Sequence, residues 1–203
     1  VIIPSNWIGT IAQIFKNNPD SECATGKVLP LWKTEQPKWY SEKIKSALAH
    51  VEYAENKKES RFCVGANSIF RKSVFEKCGK FECHKRIEDV IFARKIREFG
   101  IKINYFPELI IYHPVQSCRV KKAYFKKWFS DSGRLEADHI ETSGSKNFLN
   151  VELWICKDLF FYGVKYIQNI INLKERFYYY LKLIYCLSFF KQRLKKCKMK
   201  VIT

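Results

Sequence analysis

Gly65-Ala66-Asn67-Ser68-Ile69-Phe70-Arg71 and, further along, Ile87-Glu88-Asp89 decide how this chain is read. The stretch 61–70 reads as strand, glycine turn, strand. Ser73 is placed to cap a short helix that ends at Gly79. Ile87, Val90, Ile91 and Ile96 fall on one helical face, so the spacing predicts a helix over 87–99, stopped by Gly100. Residues 101–112 read as two strand-like pieces broken at Pro107, with His113-Pro114 directly after. Glu88 and Asp89 therefore open a helix whose inner face is apolar. In a lone acidic pair, the helix dipole alone accounts for such a placement, at ~0.3–1 kcal/mol. This pair is not alone: a glycine bend precedes it and a strand ending in a histidine follows. A rigid carboxylate at the edge of a cleft is what general-base chemistry on a hydroxyl requires.

Working outward toward the N-terminus, residues 1–20 start extended and turn helical. Ile8, Ile11, Ala12 and Phe15 are spaced for one face, and Asn17-Asn18-Pro19-Asp20 stops the helix. Cys23 to Pro30 reads as a buried strand closed by proline. Residues 31–40 form a Trp- and Pro-containing loop. Residues 41–55 read as helical, with Ile44, Ala47, Leu48 and Val51 inward, and Asn56 to Ser60 as a charged turn. Toward the C-terminus, 119–134 interleaves Arg119, Lys121, Lys122, Lys126, Lys127 and Arg134 with aromatic residues. A polar loop at 141–147 follows, and from Val151 the chain is aromatic, apolar and basic.

The composition, 47% hydrophobic and 28% charged over 203 residues, is that of a globular chain and not a disordered one. Lys and Arg number 37 against 20 Asp and Glu, a net charge of +17. That surplus favours an anionic partner: nucleic acid, an acidic membrane face or a phosphorylated small molecule. Eight cysteines are scattered without a secretory leader, which argues against a disulfide framework and for a reducing compartment. Cys78, Cys83 and His84 are the tightest group. A second pair at ligand spacing is missing, so buried thiols are expected there and not zinc. Val1-Ile2-Ile3-Pro4 reads like a strand end already inside a fold, and the chain is expected to be a fragment.

The ordered set of Gly65-Ala66-Asn67 through Arg71, Phe75, Gly79-Lys80-Phe81, Ile87-Glu88-Asp89, Gly100-Ile101-Lys102-Ile103 and Phe106-Pro107-Glu108 through Tyr112-His113-Pro114 resembles the C-terminal half of family-two glycosyltransferases. The resemblance covers residues 1 to about 135. It implies an α/β fold: a partial GT-A, Rossmann-like mixed sheet flanked by helices, followed by a helical C-terminal appendage. It implies that Asp89 deprotonates the acceptor hydroxyl and that Glu88 helps position the acceptor. Gly65, Ala66 and Asn67 would border the donor sugar, where a loop with little side chain lets a ligand approach the backbone. His113 would help hold a divalent metal, Mg or Mn. Most of that metal's ligands belong to an Asp-x-Asp motif expected upstream of Val1, so the nucleotide-binding half is expected to be missing and the isolated chain inactive. Trp128 could stack on a sugar face, or be a core aromatic. Arg134 could assist at the diphosphate, or belong to a solvated basic face. Transfer is expected to invert the anomeric configuration. The Gln-x-x-Arg-Trp signature of processive synthases is absent, which favours transfer of single sugars in cell-envelope polysaccharide or glycan biosynthesis.

These readings divide the chain into 1–135, a linker at 136–150 and a helical tail at 151–203. Segments 158–171 and 176–190 are apolar but interrupted by Lys165 and Lys182, and each is short of the ~20 residues of a spanning helix. Their Tyr, Phe and Lys suit a membrane interface, and Lys191, Arg193, Lys195, Lys196, Lys198 and Lys200 could meet anionic lipid. The alternative is a pair of helices packed on the preceding domain. The expected partners are a nucleotide-sugar donor, a glycan or lipid-linked acceptor and an anionic membrane surface, with no nucleic acid. The expected location is cytoplasmic, peripheral on the cytoplasmic membrane face. Two other readings stay open: a non-catalytic transferase relic, and a basic nucleic-acid-binding module supported by the charge and the aromatics of 119–129.

Overall fold

The computed structural model describes residues 1–53, 58–82, 88–139, 147–148 and 151–202, which fall into two compact units. Cys83, His84, Ile87, Asn56 and most of the polar stretch 141–147 lie outside the described residues. The first unit comprises Val1–Lys33 and Leu48–Val115. Its elements in order are helix α1 (Trp7–Asn17), strands β1 (Cys23–Trp32), β2 (Glu59–Ser60) and β3 (Ser68–Phe70), helices α2 (Lys72–Cys78) and α3 (Glu88–Glu98), and strand β4 (Ile103–Val115). The strands make one mixed sheet, ordered β2-β4-β1-β3. The central β1 and β4 run parallel, and the two short edge strands run antiparallel to their neighbours. The α/β class with flanking helices is as expected.

The core of this unit lies between the sheet and α2 with α3. Cys23, Val74, Phe92, Ala93, Ile96 and Ile103 are fully or almost fully buried there, with Phe70 and Phe75 against them. Phe92 stacks on Phe75 and meets Phe70 edge-on. Cys23, Cys63 and Cys78 belong to the same core. Burial pushes the Cys23 and Cys63 thiols up to about 12, so they behave as small apolar side chains.

The structure differs from the sequence reading at several elements. The stretch expected as two strands broken at Pro107 is one strand, because Pro107 falls in a bulge. The pairing jumps from Gly26–Phe106 to Lys27–Ile110, and residues 107–109 have no partner on β1, so the missing proline N–H costs no ladder bond. The bulge lies directly over Gly26: a Cβ there would sit 2.0 Å from the Leu109 carbonyl oxygen. Phe62 to Val64 is not a strand. Its backbone groups are taken up locally, Phe62 N–H by Ser60 Oγ at 3.2 Å and Val64 N–H by Ser68 Oγ at 2.9 Å.

Three helical expectations change as well. Ser73 lies within α2 and not before it; Arg71 precedes the helix, and Gly79 closes it at φ 77°. The expected helix over 41–55 is a 3-10 turn, Glu42–Leu48, ended by Ala49 at φ 58°. Val51 then turns extended and exchanges two backbone hydrogen bonds with Val28, at 2.8 and 3.0 Å. In α1, Ile8 is exposed and Ile14 is buried, so the inward face is Trp7, Ile11 and Ile14. Helical spacing fits either face. The Trp7 indole settles the rotation by donating to Asn67 Oδ1 at 3.2 Å.

The second unit comprises Thr34–Ala47 and the chain from Gln116 onward. It holds helix α4 (Lys122–His139), a small antiparallel pair β5 (Asn147–Phe148) and β6 (Val151–Glu152), and helices α5 (Leu153–Gln168) and α6 (Leu173–Ile202). The boundary expected at 135 falls inside α4. Phe125, Phe129, Gly133 and Ala137 form a buried stripe along α4. Against it lie buried Leu181, Cys186 and Phe189 of α6. At Gly133 the helices come so close that a Cβ would stand 2.3 Å from the Tyr185 carbonyl oxygen. Glu152 and Arg193 form a buried ion pair at 2.5 Å. No helix among the described residues is long and apolar enough to cross a membrane.

Candidate active site

The site begins with the bend at 64–68. Asn67 N–H donates to the Val64 carbonyl at 2.8 Å and closes the turn. The Asn67 side chain is buried and ties three segments to the bend. Its Nδ2 donates to the carbonyls of Lys27 and Leu109, both at 2.9 Å, and its Oδ1 accepts from Trp7 Nε1. Thr25 Oγ1 donates to the Asn67 carbonyl at 2.9 Å. Both amide protons and the amide oxygen are therefore engaged inside the fold. Asn67 is the peg that joins α1, β1, the β4 bulge and the glycine bend.

Gly65 stands on the exposed outer edge of this bend. Its N–H donates to Asp89 Oδ2 at 3.2 Å. Asp89 lies in the first turn of α3, and its other oxygen, Oδ1, accepts from the Val90 N–H at 2.8 Å. The carboxylate is thus fixed at both oxygens by backbone donors, one from the bend and one from its own helix start. Burial pushes the Asp89 carboxyl above the ordinary aspartate value, and Glu88 adds to that rise. The donors at Gly65 and Val90 pull the other way without cancelling it. A half-buried carboxylate with a raised affinity for protons, held rigidly beside an exposed glycine, has the properties of a general base.

The other residues named from the sequence fall in different places. Glu88 is exposed beside Asp89 at the helix entrance. Ala66 is half-buried within the bend. His113 is half-buried on β4, opposite Pro30 of β1. Trp128 and Arg134 belong to the second unit. Trp128 is half-buried on α4 with its ring edge-on to Phe129 at 5.1 Å, and Arg134 is exposed and paired with Asp131. Among the described residues no three His, Cys, Asp or Glu side chains gather as a cation requires.

Three positioning residues went unread in the sequence: Trp7, Thr25 and Gly26. Only Gly26 carried a signal, since a glycine inside a strand marks a bulge or a close backbone approach. The contacts of Trp7 and Thr25 span 60 and 42 residues, and no local pattern encodes them.

A braced, half-buried carboxylate at a helix entrance has the chemistry to take a proton from a hydroxyl or water. No family model matches this chain. Over 79 residues, however, it is 29% identical to the glucosyl-dolichyl phosphate glucuronosyltransferase of Haloferax volcanii, a stretch covering 38% of this chain and 25% of that enzyme. The chain spans about a quarter of the length of the curated relative it matches. It is a distant relative of a glycosyltransferase, which supports glycosyl transfer as the general chemistry.

Proposed function

We propose that this chain carries the acceptor-activating part of an inverting glycosyltransferase, with Asp89 as the general base. The observation that supports it most is the bracing of Asp89 by Gly65 and Val90 together with its burial-raised proton affinity. In the proposed step, the acceptor hydroxyl gives its proton to the Asp89 carboxylate. The acceptor oxygen bonds to the anomeric carbon. The bond from that carbon to the nucleoside diphosphate breaks, and the leaving group keeps the electron pair. One displacement inverts the anomeric centre. The exposed Gly65, with no side chain of its own, is where a sugar ring is proposed to approach the carboxylate, and Glu88 would supply a second acceptor group for an acceptor hydroxyl.

The donor is a nucleotide-sugar and the acceptor a lipid-linked saccharide or glycan, a reading supported by the activity for which the relative is named. His113 is the residue of this chain proposed to reach a divalent cation, Mg or Mn, on the donor diphosphate. The test is a donor screen on the protein as its gene encodes it, using nucleoside-diphosphate sugars that include glucuronosyl donors, with a glucosylated polyprenyl phosphate as acceptor. Asp89→Asn is expected to lower turnover by at least ~10²-fold, the scale of a lost general base, with KM little changed. Near-wild-type turnover in that variant would overturn the assignment.

A further inference from the structure

A helix on the surface of a folded unit normally turns its polar face outward. In α5 the outward stripe is Leu153, Lys157, Phe160, Val164 and Ile167, and the same line continues to Ile171 in the turn that follows. All six are exposed, Phe160 at 75%, Ile167 at 69% and Ile171 at 92%. One lysine is the only polar member. The inward side of α5 is already satisfied: Ile155 is fully buried, and Leu159 and Tyr162 pack on the cluster around Cys186 and Phe189. The apolar stripe is therefore surplus to folding, and it leads to the tip of the α5–α6 hairpin.

The surroundings of the stripe indicate what covers it. Lys157 and Lys174 are exposed along its line and at its end, and Lys165 lies over the Phe161 ring at 5.9 Å. Glu175, an acid near the tip, is engaged by Lys43 at 2.7 Å. Behind the tip stand half-buried tyrosines, Tyr162 against Tyr179 and Tyr166 against Tyr180. Exposed branched aliphatics, a rim of lysine and a belt of tyrosine are the composition of a membrane interface. A protein partner fits less well, because lysine is depleted where protein surfaces pack. At 16 residues α5 is about 24 Å long, too short to span a bilayer but able to lie in its headgroup layer.

We infer that the outward face of α5, from Leu153 to the Ile171 tip, inserts into the surface of an anionic lipid bilayer. The aliphatic side chains enter the acyl boundary while Lys157, Lys165 and Lys174 meet the headgroups. No residue of the first unit takes part, so this inference stands apart from the transferase reading. Phe177, Leu181 and Phe189 of α6 are buried within the helical unit and do not reach lipid.

The test is flotation of the complete protein with vesicles of phosphatidylcholine alone or mixed with phosphatidylglycerol. The expected result is recovery with the mixed vesicles, weakening as salt is raised. Ile167→Asp with Ile171→Asp should lower that recovery at least ~10-fold at an unchanged melting temperature, since both positions are exposed. Should that pair misfold, Phe160→Ser with Val164→Ser reads the same surface. Lys157→Glu with Lys174→Glu should lose the preference for phosphatidylglycerol. Failure of the wild-type protein to float, or equal flotation by the Asp pair, would overturn the inference. So would self-association that the Asp pair abolishes in a protein that ignores vesicles.

Discussion

The N–H of Gly65 reaches across 24 residues of sequence to hold Asp89 Oδ2 at 3.2 Å. Asp89 stands at the start of a helix, and Gly65 in a bend pinned by Asn67. The position of the proposed base is therefore set by two elements that are separately rigid. A carboxylate held in this way keeps its geometry whether or not an acceptor is present, which is what efficient proton transfer needs.

The raised proton affinity of Asp89 has a sign that can be measured. Burial moves its carboxyl above the ordinary 3.8, so the folded state holds the proton more tightly than the unfolded state does. That contribution to stability is fully present below 3.8 and is lost as pH rises through the folded value. Denaturant melts of wild type and Asp89→Asn should therefore diverge over that window, with wild type losing ground as pH rises. Activity should move the opposite way, rising with pH as the base is freed. Parallel stability profiles for the two proteins would show that Asp89 titrates as an ordinary exposed carboxylate.

Asn67→Ala should cost about 2–4 kcal/mol, because it strands the Lys27 and Leu109 carbonyls and the Trp7 indole in a buried place. Asn67→Asp should do at least as much harm, by setting a carboxylate against two carbonyl oxygens. Urea unfolding with a shared m-value reads both. Loss of the proposed transferase activity in these variants should follow loss of the fold and not precede it.

Gly26→Ala should destabilise by about 1–3 kcal/mol or more, since the new methyl meets backbone and not a movable side chain. The Leu109 carbonyl cannot retreat without breaking its bond to Asn67. The midpoint of chemical unfolding is the measurement, and an unchanged midpoint would show that the bulge can relax.

Two glycines of the helical unit should respond in opposite directions to the same change. Gly133→Ala drives a methyl into the Tyr185 carbonyl and should cost about 1–3 kcal/mol. Gly163 lies inside α5, where an added methyl would meet nothing within 4 Å, so Gly163→Ala should stabilise by about 0.5–1 kcal/mol through helix propensity alone. Thermal melts of the pair read the contrast.

Much of the first unit was written in local chemistry. Gly79 and Gly100 stop their helices at positive φ, as expected of residues without a Cβ. The strength of α3 and the acidic pair at its entrance came from spacing alone, while the α/β class came from the resemblance of the ordered motifs. What spacing could not give was rotation and register. Ile8 and Ile14 of α1 fit a helix equally well, and only the partner across the fold buries one and exposes the other. Pro107 looked like a strand break because a proline cannot join a ladder. Whether that ends a strand or merely bulges it depends on the opposite residue being Gly26.

By itself, then, the sequence determined the helices α1, α2 and α3, the glycines that stop α2 and α3, and which carboxylate heads α3, because these follow from interactions within a few residues. Only the tertiary structure decided that Asn67 faces inward as a peg, that Gly65 and not a side chain braces Asp89, and that α5 leaves an apolar stripe exposed while Phe177, Leu181 and Phe189 of α6 are buried. Each of those depends on contacts between residues far apart in the chain, whose geometry exists only once the chain has closed on itself.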